Sequence, residues 1–112
     1  MTVQRENDII KEEDCIKAGR HLFRIPNYIL DVREPHEYDI CNIGGLLIPM
    51  NDIPGRVHEL DSARPIVVMC RTGVRSAMVV QWLRRSGFER VANLRGGIHA
   101  WSDAIDPSIP KY

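Results

Sequence analysis

The stretch Ile66-Val67-Val68-Met69, preceded by Pro65 and followed by Cys70-Arg71-Thr72-Gly73-Val74-Arg75, constrains the fold more than any other part of the chain. Four consecutive apolar residues, three of them β-branched, suit a strand buried on both faces. That is the pattern of a parallel sheet, not the alternation of a half-solvated antiparallel one. Beyond the loop, Ser76, Val79, Val80 and Leu83 fall at offsets 0, 3, 4 and 7. This spacing predicts an amphipathic helix that begins near Arg75 or Ser76 and is ended by Gly87. In open α/β sheets, ligands bind beyond the carboxyl ends of the strands, and Cys70 stands there.

The remaining segments repeat the alternation. Ile9-Ile10 reads as a short edge strand, and a helix is expected from about Lys11 to Ala18, stopped by Gly19. Tyr28–Val32 reads as a buried strand. Pro35 opens a short helix through Glu37 and Tyr38. Gly44-Gly45 marks a turn, Leu46-Leu47-Ile48 a strand, and residues 52–60 a short helix. Val91–Leu94 is a last strand. After Gly96-Gly97, a helix carries Ile98, Trp101 and Ile105 on one face until Pro107. The expected class is α/β, with a mostly parallel central sheet and helices on both faces. Trp82 and Trp101 are expected in the core. At 112 residues the chain fits one domain spanning 1–112, which buries roughly 60–70% of its unfolded surface.

Charge and composition narrow the partners. Formal net charge is zero, which argues against bulk nucleic-acid binding. No run approaches the roughly 18 apolar residues of a membrane span. The N-terminal segment is polar and acidic, without the apolar core of a signal peptide, so a cytoplasmic location is expected. The charge is uneven: residues 1–55 hold six Lys/Arg against ten Asp/Glu, and residues 56–112 hold nine against five. The basic half contains Cys70 and suits a small anionic substrate or an acidic partner surface.

The three cysteines, Cys15, Cys41 and Cys70, do not have zinc-site spacing. An ordinary thiol with a pKa of about 8.5 is only about 3% ionised at pH 7. Backbone amides of a loop and first helical turn lack helical partners and can face a sulfur placed at the strand end. A depression of about two units would need about 2.7 kcal/mol. Such amides, the helix dipole, Arg71 and Arg75 are the expected sources, with Thr72 and Ser76 as possible hydroxyl donors. Arg, Thr, Gly, Val and Arg make a poor core environment, so Cys70 is expected to be a reactive thiolate. Cys15 and Cys41 are expected to be structural. Asp31 and Arg33 lie at another strand end; tying strand ends together is the favoured role, with a pocket wall as the alternative. His36, His58 and His99 show no pairing pattern with Cys70 and are expected at the surface.

CRTGVRSA resembles the active-site loop of the rhodanese family of sulfurtransferases. LDVREPHEYD (30–39), NIGGLLIP (42–49) and LRGGIHAW (94–101) are similar to other signatures of that family, in order and at family spacing. Asn42 stands where the family usually has His, and Leu46 where it usually has Ala; both belong to a turn. The tail GGIHAWSDAIDPSIPKY is similar to rhodanese domains fused to adenylyltransferases of molybdopterin synthesis and tRNA thiolation. Those fused domains pass sulfur to the C-terminus of a ubiquitin-like carrier protein. The adenylyltransferase is absent here; the initial Met fits a stand-alone homologue, and an excised domain is the alternative.

The resemblance implies a persulfide carried on Cys70, taken from a small anionic donor such as thiosulfate and passed to a thiophilic acceptor. It implies that Arg71, Thr72, Gly73, Val74, Arg75 and Ser76 bind the transferred sulfur and the donor. No metal or organic cofactor is implied. Partners would be the donor and, further, a ubiquitin-like sulfur carrier or an adenylyltransferase. Two rivals remain at this point. A Cys-based phosphatase needs five residues between Cys and Arg, whereas four separate Cys70 from Arg75. A non-catalytic binding module would have no need of Cys70.

Overall fold

The computed structural model describes residues 11–21, 24, 25 and 27–112. The strand expected at Ile9-Ile10 lies outside the described residues. Five strands, β1 (Glu12–Glu13), β2 (Ile29–Asp31), β3 (Leu46–Leu47), β4 (Ile66–Met69) and β5 (Val91–Leu94), form one sheet. The order is β1-β5-β4-β2-β3 and every pairing is parallel. The helices are α1 (Cys15–His21), α2 (Pro35–Ile40), α3 (Ile53–Arg56), α4 (Val74–Arg85) and α5 (Gly97–Ala104).

The central strand β4 is buried at every residue, and its pleat divides the core. Ile66, Val68 and Cys70 face one side with Leu30, Ile53, Val79, Val80 and Leu83. Val67 and Met69 face the other with Ala18, Ile29, Ile98 and Trp101. Period-2 alternation therefore assigns Cys70 to the α4 side. The connection after β2 leads toward β3 at one edge, while the connection after β4 leads toward β5 and the opposite edge. The carboxyl ends of β2 and β4 form the topological switch point, where the diverging connections leave a crevice. Asp31 and Met69 are register partners there, which sets Arg33 and Cys70 close beyond them.

Several expected boundaries shift, each for a local reason. The first helix runs from Cys15 to His21, beyond Gly19. It starts where the Asp14 carboxylate accepts the Lys17 amide at 2.8 Å. Gly19 sits inside it without a left-handed φ, and a Cβ there would meet the Trp101 ring of α5 at an ordinary packing distance of 3.7 Å. Residues 52–60 are not one helix. The segment forms 3₁₀ turns at Met50–Asp52 and Val57–Glu59 on either side of the short α3, because Arg56 leaves the helical region at φ −124°, ψ 11°. The helix α4 begins one residue earlier than expected, at Val74. Trp82 is not core: it is 38% exposed, on the α4 face that also exposes Val74 and Met78, spaced four residues apart. Trp101 is buried as expected, whereas Ile105 is exposed.

Candidate active site

Cys70 leaves β4 only 1% exposed. The chain then turns through Arg71, Thr72 and Gly73 into α4. Gly73 is the N-cap and has φ +106°, a left-handed conformation that a side chain would strain. In that conformation the Gly73 amide donates to Cys70 Sγ at 3.0 Å. The Ser76 hydroxyl, one turn into α4, lies 3.2 Å from the same sulfur. Burial pushes the Cys70 thiol up, but hydrogen bonds from the Ser76 hydroxyl and from the amides of Ser76, Gly73 and Thr72 outweigh it, so the thiol is held below its ordinary value. The sulfur is buried, yet its polar neighbours favour the anion.

The orientation of the loop amides is set from behind, by α5. The Ile98 amide donates to the Cys70 carbonyl at 2.9 Å and the His99 amide to the Arg71 carbonyl at 3.2 Å. In a planar trans peptide the N–H points opposite to the C=O. Anchoring the Arg71 carbonyl on α5 therefore turns the Thr72 amide away from α5, toward the sulfur side. Gly97 makes this approach possible: a Cβ there would lie 2.5 Å from the carbonyl oxygens of both Cys70 and Arg71. The pair Gly96-Gly97 is visible in the sequence as a turn, but its service to the cysteine loop is not.

Asn93 on β5, buried at 3% exposure, is a site residue that the sequence reading missed. Its Nδ2 donates to the Gly73 carbonyl at 3.1 Å, leaving Oδ1 to face the Ser76 oxygen at 2.5 Å. The hydroxyl has one proton to give. With a neutral thiol it satisfies Asn93; with a thiolate it turns to the sulfur. Nothing in the segment VANL distinguishes Asn93 from an ordinary strand residue except a polar side chain in an otherwise buried strand.

The two loop arginines differ. Arg75 makes a two-pronged ion pair with Glu37, at 2.6 and 2.8 Å. Of the two arginines expected to draw in an anion, it is the one already paired with a carboxylate. Glu37 is held down to about 2 by the Arg75 guanidinium, against the cost of burial, with help from the Glu34 amide and the Tyr112 hydroxyl. Arg71 is exposed, with its guanidinium 5.0 Å from the Tyr112 ring centroid. Thr72 contributes its amide, while its side chain and that of Val74 are exposed.

Arg33 takes the structural role. It is fully buried on Asp31 (2.8 Å), the carbonyls of Glu37 and Cys41, and the Tyr112 hydroxyl. His36 and His58 are exposed as expected. His99 is not purely a surface residue: its Nε2 is 3.3 Å from Arg71 Nε and 3.2 Å from the Tyr112 carbonyl. Cys15 is buried and its thiol is raised, by burial and then by Asp14. Cys41 is half-buried, its sulfur 3.6 Å from the Pro110 carbonyl. No group of acidic, His or Cys side chains suited to a metal ion exists among the described residues.

A parallel α/β domain with a hydrogen-bonded cysteine at the switch point defines the class: a cysteine-loop domain of the kind that steadies an anion on sulfur. Comparison with known proteins gives the family. The chain belongs to the rhodanese-like domains, whose family model matches residues 16–104. A sulfurtransferase of Allochromatium vinosum is 41% identical over 96 residues, covering 84% of this chain and 90% of that protein. The chloroplastic rhodanese-like/PpiC domain-containing protein 12 of Arabidopsis thaliana is 36% identical over 110 residues, covering 94% of this chain. The probable adenylyltransferase/sulfurtransferase MoeZ of Mycobacterium tuberculosis is 36% identical over 102 residues and 88% of the chain. The chain spans only 37% and 25% of these last two proteins. The crystal structure of a rhodanese-like domain protein from Staphylococcus aureus superposes with a TM-score of 0.75 at 32% identity, covering 86% of this chain and 95% of that one. No helix among the described residues is long and apolar enough to cross a membrane.

Proposed function

We propose that this domain is a sulfurtransferase that carries sulfane sulfur as a persulfide on Cys70. Family membership and the sulfurtransferase relatives support sulfur transfer in general. The observation that carries the specific reading is the convergence of the Gly73 amide and the Ser76 hydroxyl on the Cys70 sulfur. The Cys70 thiolate attacks the outer sulfur of a donor such as thiosulfate. A sulfur–sulfur bond forms at Cys70, the donor's own sulfur–sulfur bond breaks, and sulfite leaves with the electron pair. An acceptor nucleophile then attacks the outer sulfur of the persulfide and the Cys70 thiolate departs. No proton need be supplied in either step, which fits a site built from hydrogen-bond donors without a general base. The sulfur species at both stages, thiolate and persulfide, are anions that the same donors stabilise.

The adenylyltransferase/sulfurtransferase relatives support a ubiquitin-like sulfur carrier as acceptor and an adenylyltransferase as the enzyme that activates it. A reducing compartment such as the cytoplasm suits a free thiol at the site. The test is intact mass spectrometry after thiosulfate treatment. The native protein gains the mass of one sulfur atom and Cys70→Ser does not. A native protein that gains none from thiosulfate or from a persulfide donor would refute the reading.

A further inference from the structure

We infer that Tyr112 is a positioning residue for the site, and that the cation it positions, Arg71, is the one that meets an incoming anionic donor. The inference rests on the sulfur-transfer reading for the donor's identity, but its geometry is independent of it. Three arginines surround the crevice. Arg33 is neutralised by Asp31 and Arg75 by Glu37. Arg71 has no carboxylate partner among the described residues; its contacts are the Tyr112 ring and His99. Its charge is the uncompensated one at the mouth of the loop.

Tyr112 touches all three arginine systems. Its hydroxyl accepts from Arg33 Nη1 at 2.9 Å and donates to Glu37 Oε2 at 2.8 Å. Glu37 Oε1 takes the Glu34 amide and Arg75 Nη1, and Oε2 takes Arg75 Nη2 and the Tyr112 hydroxyl. The carboxylate has four hydrogen bonds for about four lone-pair sites, so it has no freedom to release Arg75. The Tyr112 ring, clamped at its hydroxyl end, presents its face to the Arg71 guanidinium and stands edge-on to the His99 ring at 5.9 Å. A long exposed arginine one residue beyond Cys70 in the loop would otherwise sample many rotamers. The ring holds it beside the crevice without neutralising it, since a π face leaves the positive charge able to attract a further anion.

The experiment compares alkylation of Cys70 by iodoacetate, an anion, and by iodoacetamide, its neutral counterpart, in a Cys41→Ser background. The native ratio of iodoacetate to iodoacetamide rates exceeds that of Arg71→Gln. Tyr112→Phe keeps the ring and most of the ratio. Tyr112→Leu lowers it by roughly two- to fivefold, to the Arg71→Gln level, and adds nothing in the Arg71→Gln background. Each iodoacetate rate is read against the iodoacetamide rate of the same variant, so a change in the thiolate itself, which a merely structural role would produce and which moves both rates alike, drops out of the ratio. A Tyr112→Leu ratio equal to the native one overturns the inference, as does a loss of iodoacetamide reactivity in parallel. Alkylation needs no sulfur transfer: a protein that shows the ratio change but never gains sulfur refutes the proposed function and leaves this inference standing.

Discussion

Replacing Ser76 with alanine isolates the side-chain contribution to the sulfur's charge. A hydrogen bond to a charged group contributes about 1.5–3 kcal/mol. The Ser76 hydroxyl does not deliver all of that. When it turns to the thiolate it gives up Asn93 Oδ1, a neutral acceptor at 2.5 Å, and such a bond is worth about 0.5–1.5 kcal/mol. The net preference for the thiolate is thus about 1–1.5 kcal/mol, or roughly five- to tenfold in the thiol–thiolate equilibrium. The amides of Gly73, Thr72 and Ser76 survive the substitution, so reactivity falls without vanishing. The assay is the pH profile of iodoacetamide alkylation at Cys70, read by peptide mass spectrometry so that Cys15 and Cys41 do not contribute. Ser76→Ala moves the midpoint upward and lowers the rate at pH 7. It also raises the plateau rate at high pH, because a more basic thiolate is the better nucleophile. An unmoved midpoint, or a midpoint that rises while the plateau falls, would refute the argument that this hydroxyl stabilises the anion.

Three other outcomes follow from the geometry. Gly97→Ala drives a methyl to 2.5 Å from two loop carbonyls at φ +62°; it lowers the unfolding free energy measured in urea by about 1–3 kcal/mol and abolishes sulfur uptake, and a fully active variant would contradict the anchoring role of α5. Glu37 titrates at about 2 when folded against an ordinary 4.5, so its stabilisation is complete above pH 4.5 and is lost as pH falls toward 2. Glu37→Gln flattens that acid limb in pH-dependent unfolding, and an unchanged limb would show that Glu37 does not carry it. Trp101→Ala costs about 3–5 kcal/mol, whereas the half-exposed Trp82 tolerates Gln within about 1 kcal/mol; equal losses in chemical denaturation would contradict the burial difference.

The parallel sheet and the position of Cys70 were legible because both depend on short-range pattern. An uninterrupted apolar run fixes β4, and the 0, 3, 4, 7 spacing correctly marks Ser76, Val79, Val80 and Leu83 as the buried stripe of α4. Trp82 was misplaced because large apolar side chains suggest burial, while its position at offset six from Ser76 places it off that stripe. Glu37 and Arg75, thirty-eight residues apart, and Tyr112 and Arg71 meet only through the tertiary fold. Charge counts along the sequence correctly flag a basic half, but they cannot tell a neutralised arginine from a free one.

The deeper difference concerns how the amides come to face the sulfur. From sequence alone, the loop and first helical turn have unpaired amides, and a helix terminus is an adequate reason to expect an anion there. The structure adds a second, independent cause. Carbonyls of residues 70 and 71 are drawn to α5 by Ile98 and His99, and peptide planarity then commits the attached amides to the opposite side. The closing signature containing Gly96-Gly97 thereby acts on the cysteine loop although about two dozen residues separate them in the chain. A lone strand–loop–helix peptide excised around Cys70 would keep the amides but lose the anchor. Its thiol should titrate close to an ordinary cysteine. In the intact domain, by contrast, Gly97→Ala should raise the Cys70 midpoint more than it alters the far edge of the sheet, measured as amide exchange at β3. If the midpoint holds while β3 loosens, the orientation of the loop is intrinsic to its own sequence and the anchor from α5 is dispensable.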